Sequence, residues 1–444
     1  MHSTHLQTCS PSHSLIPPHP TPPSHHHHYK ATLDGFDGDG WNGWHGRPYV
    51  YDEYYHPTAW VGRRAADFLG NYTDERPFLV KVSFHRPHSP YDPPQRVLDK
   101  VSVDDLPPLI TGTNWDALYD QTQTPSDECG PSNADAWCGR MPDNETVMAR
   151  RCYLASVMFV DEQVGLIYDT LKKRGLLENT YIMWTADHGD GQGDHFHWRK
   201  GFPYEFSAHV PMLMRWPESD AAQVKMPRGT VLDNVVTELR DVFHTAVDVA
   251  NASHLIPAGH FLPTDGKSMR CLLRDPSGQA CDYAVNPGPW RQWIDMEHST
   301  VYNETVHWNA LTDGKMKYIF RAFFGDEQLF NLTADPYEQT DLAADPAYAT
   351  VLGVWRQRLV AQFERENRGP DWVKDGKLQQ RTQGQTYSPN YPHPTPVPGD
   401  GIVIASNGAS NDRWECAALE KQAGVMRLDT DDGNATNLCM EAGG

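Results

Sequence analysis

Residues 185–200 gather the side chains of this chain that could do chemistry: carboxylates, imidazoles and a lysine within one short stretch. The stretch follows an apolar run over residues 180–184 and leads into a second apolar run over residues 210–216. In open α/β sheets, functional groups are presented by loops at the carboxyl ends of strands. The pattern therefore predicts a strand, a loop that carries the reactive groups, and a second strand.

Two kinds of binding group meet in this loop. Asp187 and His188 are adjacent, and a carboxylate beside an imidazole can hold a hard or borderline cation. Lys200 can face an anion next to that cation. We interpret the loop as a site for metal-assisted attack on an oxyanion ester, with Asp187 and His188 as metal ligands. His195 is a candidate substrate-binding residue, and hydrogen bonds that cross-link the loop are an equal alternative for it.

A further candidate follows another predicted strand. Residues 77–84 are mostly apolar and lead into His-Arg-Pro-His at 85–88, which is typical of a strand that ends in a turn. A lone histidine in a proline-framed turn is more often solvated than catalytic, but its place at a strand end makes His88 a candidate catalytic and substrate-binding residue. A protonated His88 or Lys200 could supply a proton to a poor leaving group.

The composition and charge exclude two classes of partner. Charged residues make up 22% and hydrophobic residues 39%, as in an ordinary globular protein. The formal net charge of −20 at pH 7 argues against nucleic-acid and anionic-membrane partners, because like charges repel over the whole surface. No apolar run approaches the roughly 20 residues that span a bilayer. An anionic substrate therefore depends on local cations such as Lys200 and a metal ion.

Cysteine spacing and glycosylation sequons favour the secretory pathway. Cys129 and Cys138, and likewise Cys271 and Cys281, are locally spaced pairs in segments rich in glycine, proline and aspartate, as loop-stapling disulfides are. Residues 1–28 lack the apolar core of a signal peptide, so we expect the true N-terminus to be absent or misread. We predict a secreted or lysosome-like glycoprotein. The acceptor asparagines are Asn71, Asn144, Asn251, Asn303, Asn331 and Asn434.

Hydrophobic periodicity and proline content divide the chain into four parts. Residues 1–30 form a His/Pro-rich segment that cannot pack a core, and we expect it to be disordered. Residues 31–280 form an α/β domain that we expect to be incomplete at its N-terminus. Residues 281–370 form a C-terminal α+β subdomain in which short strands alternate with turns. Residues 371–444 are a linker and a tail of unknown role.

Helical periodicity predicts four helices. The second is the strongest pattern, and the third is expected to turn its apolar side chains, among them Leu239 and Phe243, toward the core. The predicted helices cover residues 59–69, 148–174, 234–250 and 343–368.

Four motifs occur in a fixed order at residues 77–90, 159–165, 185–190 and 198–205. They resemble those of the sulfatase family of the alkaline-phosphatase superfamily, and the similarity covers residues 35–368. Residues 311–315 and 328–332 resemble that family's closing subdomain. The resemblance implies an α/β fold with a mainly parallel sheet sandwiched by helices, followed by a smaller C-terminal antiparallel sheet and a helix.

The resemblance also implies roles for individual residues. Asp187 and His188 would hold part of a calcium ion, with Mg²⁺ or Mn²⁺ as alternatives, although many family members have asparagine at the second position. His88 matches the histidine that contacts the sulfate ester and its leaving oxygen, and Lys200 matches the lysine that neutralises sulfate charge. Fixed cations at these positions would stabilise the charge that spreads over the sulfuryl oxygens in the transition state.

The family's nucleophile motif is only partly present. Sulfatases carry paired aspartates after their first strand, a Cys-x-Pro-x-Arg motif whose cysteine becomes formylglycine, and a later Lys-x-His pair. The nearest match, Cys-Ser-Pro-Ser-His at 9–13, keeps Cys9 and the proline but has His13 where the arginine belongs. Cys9 is either the position modified by a formylglycine-generating enzyme or a chance match in a disordered tail.

Three functions are compatible with these residues. We predict a sulfuric ester hydrolase that cleaves a sulfated small molecule or glycan at a calcium-dependent site. The nearest alternative is a phosphodiester or phosphonate monoester hydrolase of the same superfamily, because the same cationic groups would bind either anion. The alternative from a different class is a degenerate binding protein that keeps the pocket and lacks the nucleophile.

Overall fold

The structure is a computed structural model that describes most of the central part of the chain. The predicted disordered segment 1–30, Cys9 and the Cys129/Cys138 pair lie outside the described residues. The described residues are 43–111, 139–221, 223–256, 266–281, 283–298 and 306–382.

Seven α-helices are formed in these ranges. They are α1 (Pro57–Asn71), α2 (Gln95–Leu98), α3 (Asp143–Lys173), α4 (Glu205–Ala208), α5 (Arg240–Val249), α6 (Arg270–Arg274) and α7 (Ala349–Arg365). The strands of the described ranges are β1 (Ile182–Thr185), β2 (Met212–Arg215), β3 (Ile294–His298), β4 (Trp308–Thr312), β5 (Met316–Arg321), β6 (Asp326–Asn331), β7 (Val373–Lys374) and β8 (Lys377–Leu378). None of these helices is long and apolar enough to cross a membrane.

Helix α3 is the central element of the first hydrophobic core. It begins at Asp143, five residues before the predicted start, and two acidic residues in its first turn and two lysines in its last turn complement the helix dipole. Gly175, with a φ of +69°, ends the helix as predicted. One face of α3 packs against α1 and the segment around α2, and that core includes Ala59, Val97 and Phe159.

Helix α5 is buried on the opposite face from the one predicted. Asp241 and Thr245 are fully buried, whereas Leu239 is 41% exposed and Phe243 is 55% exposed. The Asp241 carboxylate accepts two hydrogen bonds from Arg291, at 2.6 and 2.7 Å. These polar contacts outweigh the burial of the apolar residues, so the prediction that Leu239 and Phe243 point inward is wrong.

The predicted strand–loop–strand unit is confirmed. Strands β1 and β2 pair antiparallel, with Ile182 opposite Arg215 and Thr185 opposite Met212. The loop between them therefore begins at the end of β1 and returns to the start of β2, which lies directly beside it. This geometry holds the reactive segment at one end of the sheet.

The predicted strand over residues 77–84 does not form a ladder. Its backbone makes no strand pairing within the described ranges, and Leu79 is 84% exposed. A strand needs a neighbour that pairs with its backbone, and the described segments provide no such pairing for these residues. The parallel pairing in the described ranges is a single bridge between Gly46 and Tyr91.

The C-terminal antiparallel sheet and its helix are confirmed. The strands lie in the order β3-β4-β5-β6, with every neighbouring pair antiparallel. Helix α7 covers one face through Leu352, Trp355 and Phe363. The buried Trp372, directly before the hairpin β7–β8, lies in the same core. Residues beyond 370, the predicted boundary, thus pack into the same core.

One of the two predicted disulfides lies within the described ranges. Cys271 and Cys281 are bonded, with an S–S distance of 2.12 Å, and both lie in a buried cluster with Trp290. Of the acceptor asparagines, Asn71, Asn144 and Asn251 are exposed, Asn331 is half-buried, and the others lie outside the described residues.

Gly46 packs directly against the backbone of α3 and leaves no room for a side chain. A Cβ on residue 46 would lie 2.7 Å from both the Ala149 Cα and the Met148 carbonyl oxygen, so Gly46→Ala forces backbone to move. We expect it to lower the free energy of unfolding by about 1–3 kcal/mol, measured by urea titration.

The matched control for this variant is Gly165→Ala, within α3. Its new Cβ would meet no atom within 4 Å, and alanine favours helix over glycine by up to about 1 kcal/mol. We expect this variant to be as stable as the unaltered protein or more so. Equal stability of the two variants would show that Gly46 does not touch α3.

Candidate active site

The two anion-binding candidates, His88 and Lys200, are brought together by the fold. The Lys200 Nζ lies 2.8 Å from the His88 Nε2 although 112 residues separate them. The His88 Nδ1 lies 2.7 Å from the Ser89 carbonyl oxygen, which can only accept, so Nδ1 carries the proton. The Nε2 of the neutral imidazole is then the acceptor that faces the lysine.

Burial tunes the ionisation of this pair. Loss of water lowers the pKa of His88, and the nearby Lys200 charge lowers it further, although a hydrogen bond to Ser89 opposes both effects. Burial also lowers the pKa of Lys200. The neighbouring His85 is shifted in the same direction, to a pKa of about 4, by burial and then by Arg86. A lysine with a lowered pKa gives up its proton more readily than an exposed one.

The turn that carries His88 rests on a buried ion pair. Arg86 donates two hydrogen bonds to Asp92, at 2.5 and 2.8 Å, and both side chains are almost completely buried. Burial alone would raise the pKa of Asp92, but the hydrogen bonds from Arg86 and His56 keep it below its usual value. The Asp92 carboxylate thus stays charged and fixes the backbone on the far side of the turn.

Asp187 and His188, the predicted metal ligands, lie beside the pair. The Asp187 carboxylate is 85% exposed, and the His188 ring centre is 6.3 Å from that of His88. The His188 Nδ1 is occupied by the Gly189 carbonyl oxygen at 2.7 Å, which leaves only its Nε2 for a ligand.

A calcium ion needs six to eight oxygen donors, and imidazole is a poor ligand for it. Within the ranges that the structure describes, no group of three or more histidine, cysteine, aspartate or glutamate side chains could hold a metal ion. These residues therefore do not make a calcium site on their own.

His195 lies inside the loop. Its side chain is 2% exposed and packs beside Tyr204 and Phe206, with ring centres 6.1 and 6.0 Å away. Burial lowers its pKa to about 4. This position favours the second of its two predicted roles, a structural one within the loop, over contact with a substrate.

Asp190 organises the loop, and sequence reasoning did not single it out. Its Oδ1 accepts hydrogen bonds from the backbone N–H groups of Gln192 and Arg199, at 3.2 and 3.1 Å. Its Oδ2 accepts a bond from the buried Tyr91 hydroxyl at 2.9 Å. The aspartate-glycine pair at 190–191 is a turn signal, but nothing in it reveals the contact with Tyr91.

The loop is held in a backbone conformation that side chains disfavour. Gln192, His195, Phe196 and Arg199 all have positive φ values, between 51° and 67°. Such residues cost free energy and persist only where neighbouring contacts impose them. One of those contacts comes from α3, where Arg150 donates to the Gln192 carbonyl oxygen at 3.0 Å.

Taken together, the groups can bind an oxyanion and move a proton. Lys200 supplies a positive charge with three donors, and His88 supplies an imidazole nitrogen within hydrogen-bond distance of it. The exposed Asp187 carboxylate lies within electrostatic reach of Lys200. Lys200 could hold the non-bridging oxygens of an oxyanion ester while His88 faces the bridging oxygen.

Comparison with known proteins gives the family. The family model "Sulfatase" matches residues 24–252, just over half of the chain. An arylsulfatase of Clostridium perfringens is 33% identical over 330 residues, which are 74% of this chain and 62% of that protein. A choline-sulfatase of Rhizobium meliloti is 29% identical, over 66% of this chain and 52% of that protein. The chain thus spans about half to three fifths of these relatives' length.

Solved structures give the fold. A phosphonate monoester hydrolase of Agrobacterium radiobacter matches with a TM-score of 0.58 at 22% identity, over 76% of this chain and 67% of that one. A protein solved with its substrate D-glucosamine-2-N,6-O-disulfate matches with a TM-score of 0.53 at 19% identity, over 72% of each chain. The predicted α/β fold class is confirmed, and the chain belongs to the sulfatase family.

Proposed function

We propose that this protein hydrolyses sulfate esters. The observation that carries the proposal is the 2.8 Å contact between Lys200 and His88, which places an ammonium and an imidazole at one point of a site reached by solvent. Membership of the sulfatase family supports a sulfuryl group as the anion bound there.

The chemistry asked of these two residues is binding and proton transfer. Lys200 would hold the non-bridging oxygens of the ester and stabilise the charge that grows on them as the sulfur–oxygen ester bond breaks. The leaving alcohol needs a proton on its oxygen. Lys200 would first pass a proton to the His88 Nε2, and the resulting imidazolium would donate it to this oxygen; the lowered pKa of Lys200 favours the first transfer, and the lowered pKa of His88 favours the second.

The nucleophile and the metal ion complete the proposal. Formylglycine is the nucleophile that family membership implies, and Cys9, which lies outside the described residues, stays its candidate position for a formylglycine-generating enzyme. We propose that Asp187 and His188 contribute to the binding of a divalent cation, with calcium as the ion by family resemblance. When bound, such a cation would supply positive charge beside the ester.

The proposal includes a substrate class and a location. A sulfated glycan or small molecule is supported by the disulfated glucosamine held by one structural relative and by the arylsulfatase and choline-sulfatase relatives. The Cys271–Cys281 bond and three exposed acceptor asparagines support a glycoprotein of the secretory pathway.

A second candidate reaction is phosphonate monoester hydrolysis. It is supported by the shared fold of a phosphonate monoester hydrolase, with a TM-score of 0.58. Lys200 and His88 would bind a phosphonate oxygen in the same way. The curated relatives named above favour sulfate instead.

Lys200→Gln tests the anion-binding role. Removing the ammonium leaves the developing sulfuryl charge without its main partner, so we expect kcat/KM for an aryl sulfate to fall by about 10²–10³-fold. Lys172→Gln, at an exposed position of α3, is the control and should keep full activity. Equal activity of the two variants would contradict the assigned role of Lys200.

A comparison of two esters separates the candidate reactions. We expect the protein to cleave 4-nitrophenyl sulfate with a higher kcat/KM than 4-nitrophenyl phenylphosphonate, because the family relatives act on sulfate. The two release the same chromophore, so one absorbance assay measures both. Faster phosphonate cleavage would reject the sulfatase proposal in favour of the second candidate.

Calcium titration tests the proposed cation ligand. Asp187→Asn keeps the size of the side chain but removes its charge, and we expect calcium affinity in isothermal titration calorimetry to fall at least tenfold, about 1.4 kcal/mol. Asp161→Asn, on the surface of α3, should bind calcium as the unaltered protein does. Unchanged binding in Asp187→Asn would remove Asp187 from the ligand set.

A further inference from the structure

The C-terminal sheet packs against the five residues that directly follow Lys200 and forms polar contacts with them. One face of the sheet is covered by α7, and the opposite face packs against the loop between β1 and β2. Phe202 and Tyr204 of the loop lie in one buried cluster with Trp308, Ile319 and Phe330 of the sheet. The sheet and the reactive loop thus share a core.

The contact nearest to the site is made by Trp308 of β4. Its indole N–H donates to the Gly201 carbonyl oxygen at 2.9 Å, and the ring is 7% exposed. Gly201 is the residue next to Lys200 and has a φ of +96°. The indole therefore fixes the orientation of the peptide group that follows Gly201, one residue beyond the lysine.

Two further polar contacts hold the same segment. The Tyr204 hydroxyl donates to the Gln328 Oε1 at 2.9 Å, and both side chains are buried. The ammonium of Lys317, which is completely buried, lies 2.6 Å from the Glu205 carboxylate and 2.8 Å from that of Glu338. Residues 201–205 are therefore tied to the sheet at three successive points.

The other side of Lys200 is fixed within the loop. The Arg199 N–H donates to Asp190, and the Arg199 carbonyl oxygen accepts from the Gly191 N–H at 2.7 Å. Arg199 has a φ of +67°, so both neighbours of Lys200 are in left-handed conformations. The contacts that hold these two residues set the backbone of Lys200 and therefore the direction of its Cβ. Beyond the Cβ the lysine side chain is flexible.

We propose that Trp308 is a positioning residue for Lys200: its hydrogen bond to the Gly201 carbonyl oxygen holds the lysine against His88. The inference rests on the proposed function, since it assigns Trp308 a part in binding the same anion. It also gives the C-terminal sheet a role in the site, although Trp308 itself touches no substrate.

The test compares Trp308→Phe with a matched variant. Phenylalanine keeps an aromatic ring in the cluster but removes the N–H donor together with part of the ring volume. Trp290→Phe removes the same kind of bond, an indole N–H that donates to the Val236 carbonyl oxygen at 2.7 Å, from a ring that is 5% exposed. Both variants should lose similar stability, so any difference at the site reflects position and not folding.

The primary readout is the dissociation constant of inorganic sulfate, measured by calorimetry. We expect Trp308→Phe to weaken binding by about fivefold, in the range of one lost hydrogen bond, and Trp290→Phe to leave it unchanged. In the background of Lys200→Gln, which should retain weak binding through His88, Trp308→Phe should have no further effect, because it acts through the lysine. Equal losses in the two backgrounds, or no loss in either, would overturn the proposal.

A second measurement separates this inference from the proposed function. Amide hydrogen exchange of residues 199–202 should be faster in Trp308→Phe than in Trp290→Phe, whether or not the protein binds sulfate. If the unaltered protein binds no sulfate, the proposed function fails and the exchange data alone judge the positioning role. If exchange is the same in both variants, Trp308 does not hold this segment and the inference is wrong.

Discussion

The approach of the Lys200 ammonium to the His88 imidazole, at 2.8 Å, is the interaction on which the site depends. Both residues lie in loops, so the contact forms only if other parts of the fold hold each loop in place. A partly buried ammonium loses hydration, and this loss lowers its pKa and sharpens its attraction for an anion. The rest of the described fold can be understood as the support of these two side chains.

The supports come from three directions and differ in chemistry. The turn of His88 rests on the buried Arg86–Asp92 ion pair, and the start of the reactive loop is organised by Asp190. The end of that loop is held by the C-terminal sheet through Trp308 and through the buried Lys317. A buried ion pair adds little net stability when it is complete, but loss of one partner is costly. The arrangement therefore fixes geometry more than it adds stability.

Local patterns predicted much of this architecture. The apolar runs around residue 200 predicted β1 and β2, and turn residues predicted the C-terminal sheet, because both signals lie within a few neighbouring positions. The same patterns gave the wrong face of α5, since the partner that buries Asp241 is Arg291, 50 residues away. The contact of Trp308 with Gly201 spans 107 residues and has no local signal. Candidate site residues such as His88 and Lys200 could thus be selected from local patterns, whereas residues that position them, such as Trp308, could not.

The most direct test of the shared anion site is a crystal structure of the protein soaked in selenate, whose anomalous scattering locates a sulfate-like anion without reference to activity. The account predicts one selenate within hydrogen-bond distance, about 3 Å, of both the Lys200 Nζ and the His88 Nε2. Selenate bound elsewhere in the cleft, or a structure in which these two nitrogens lie too far apart to share one anion, would contradict it.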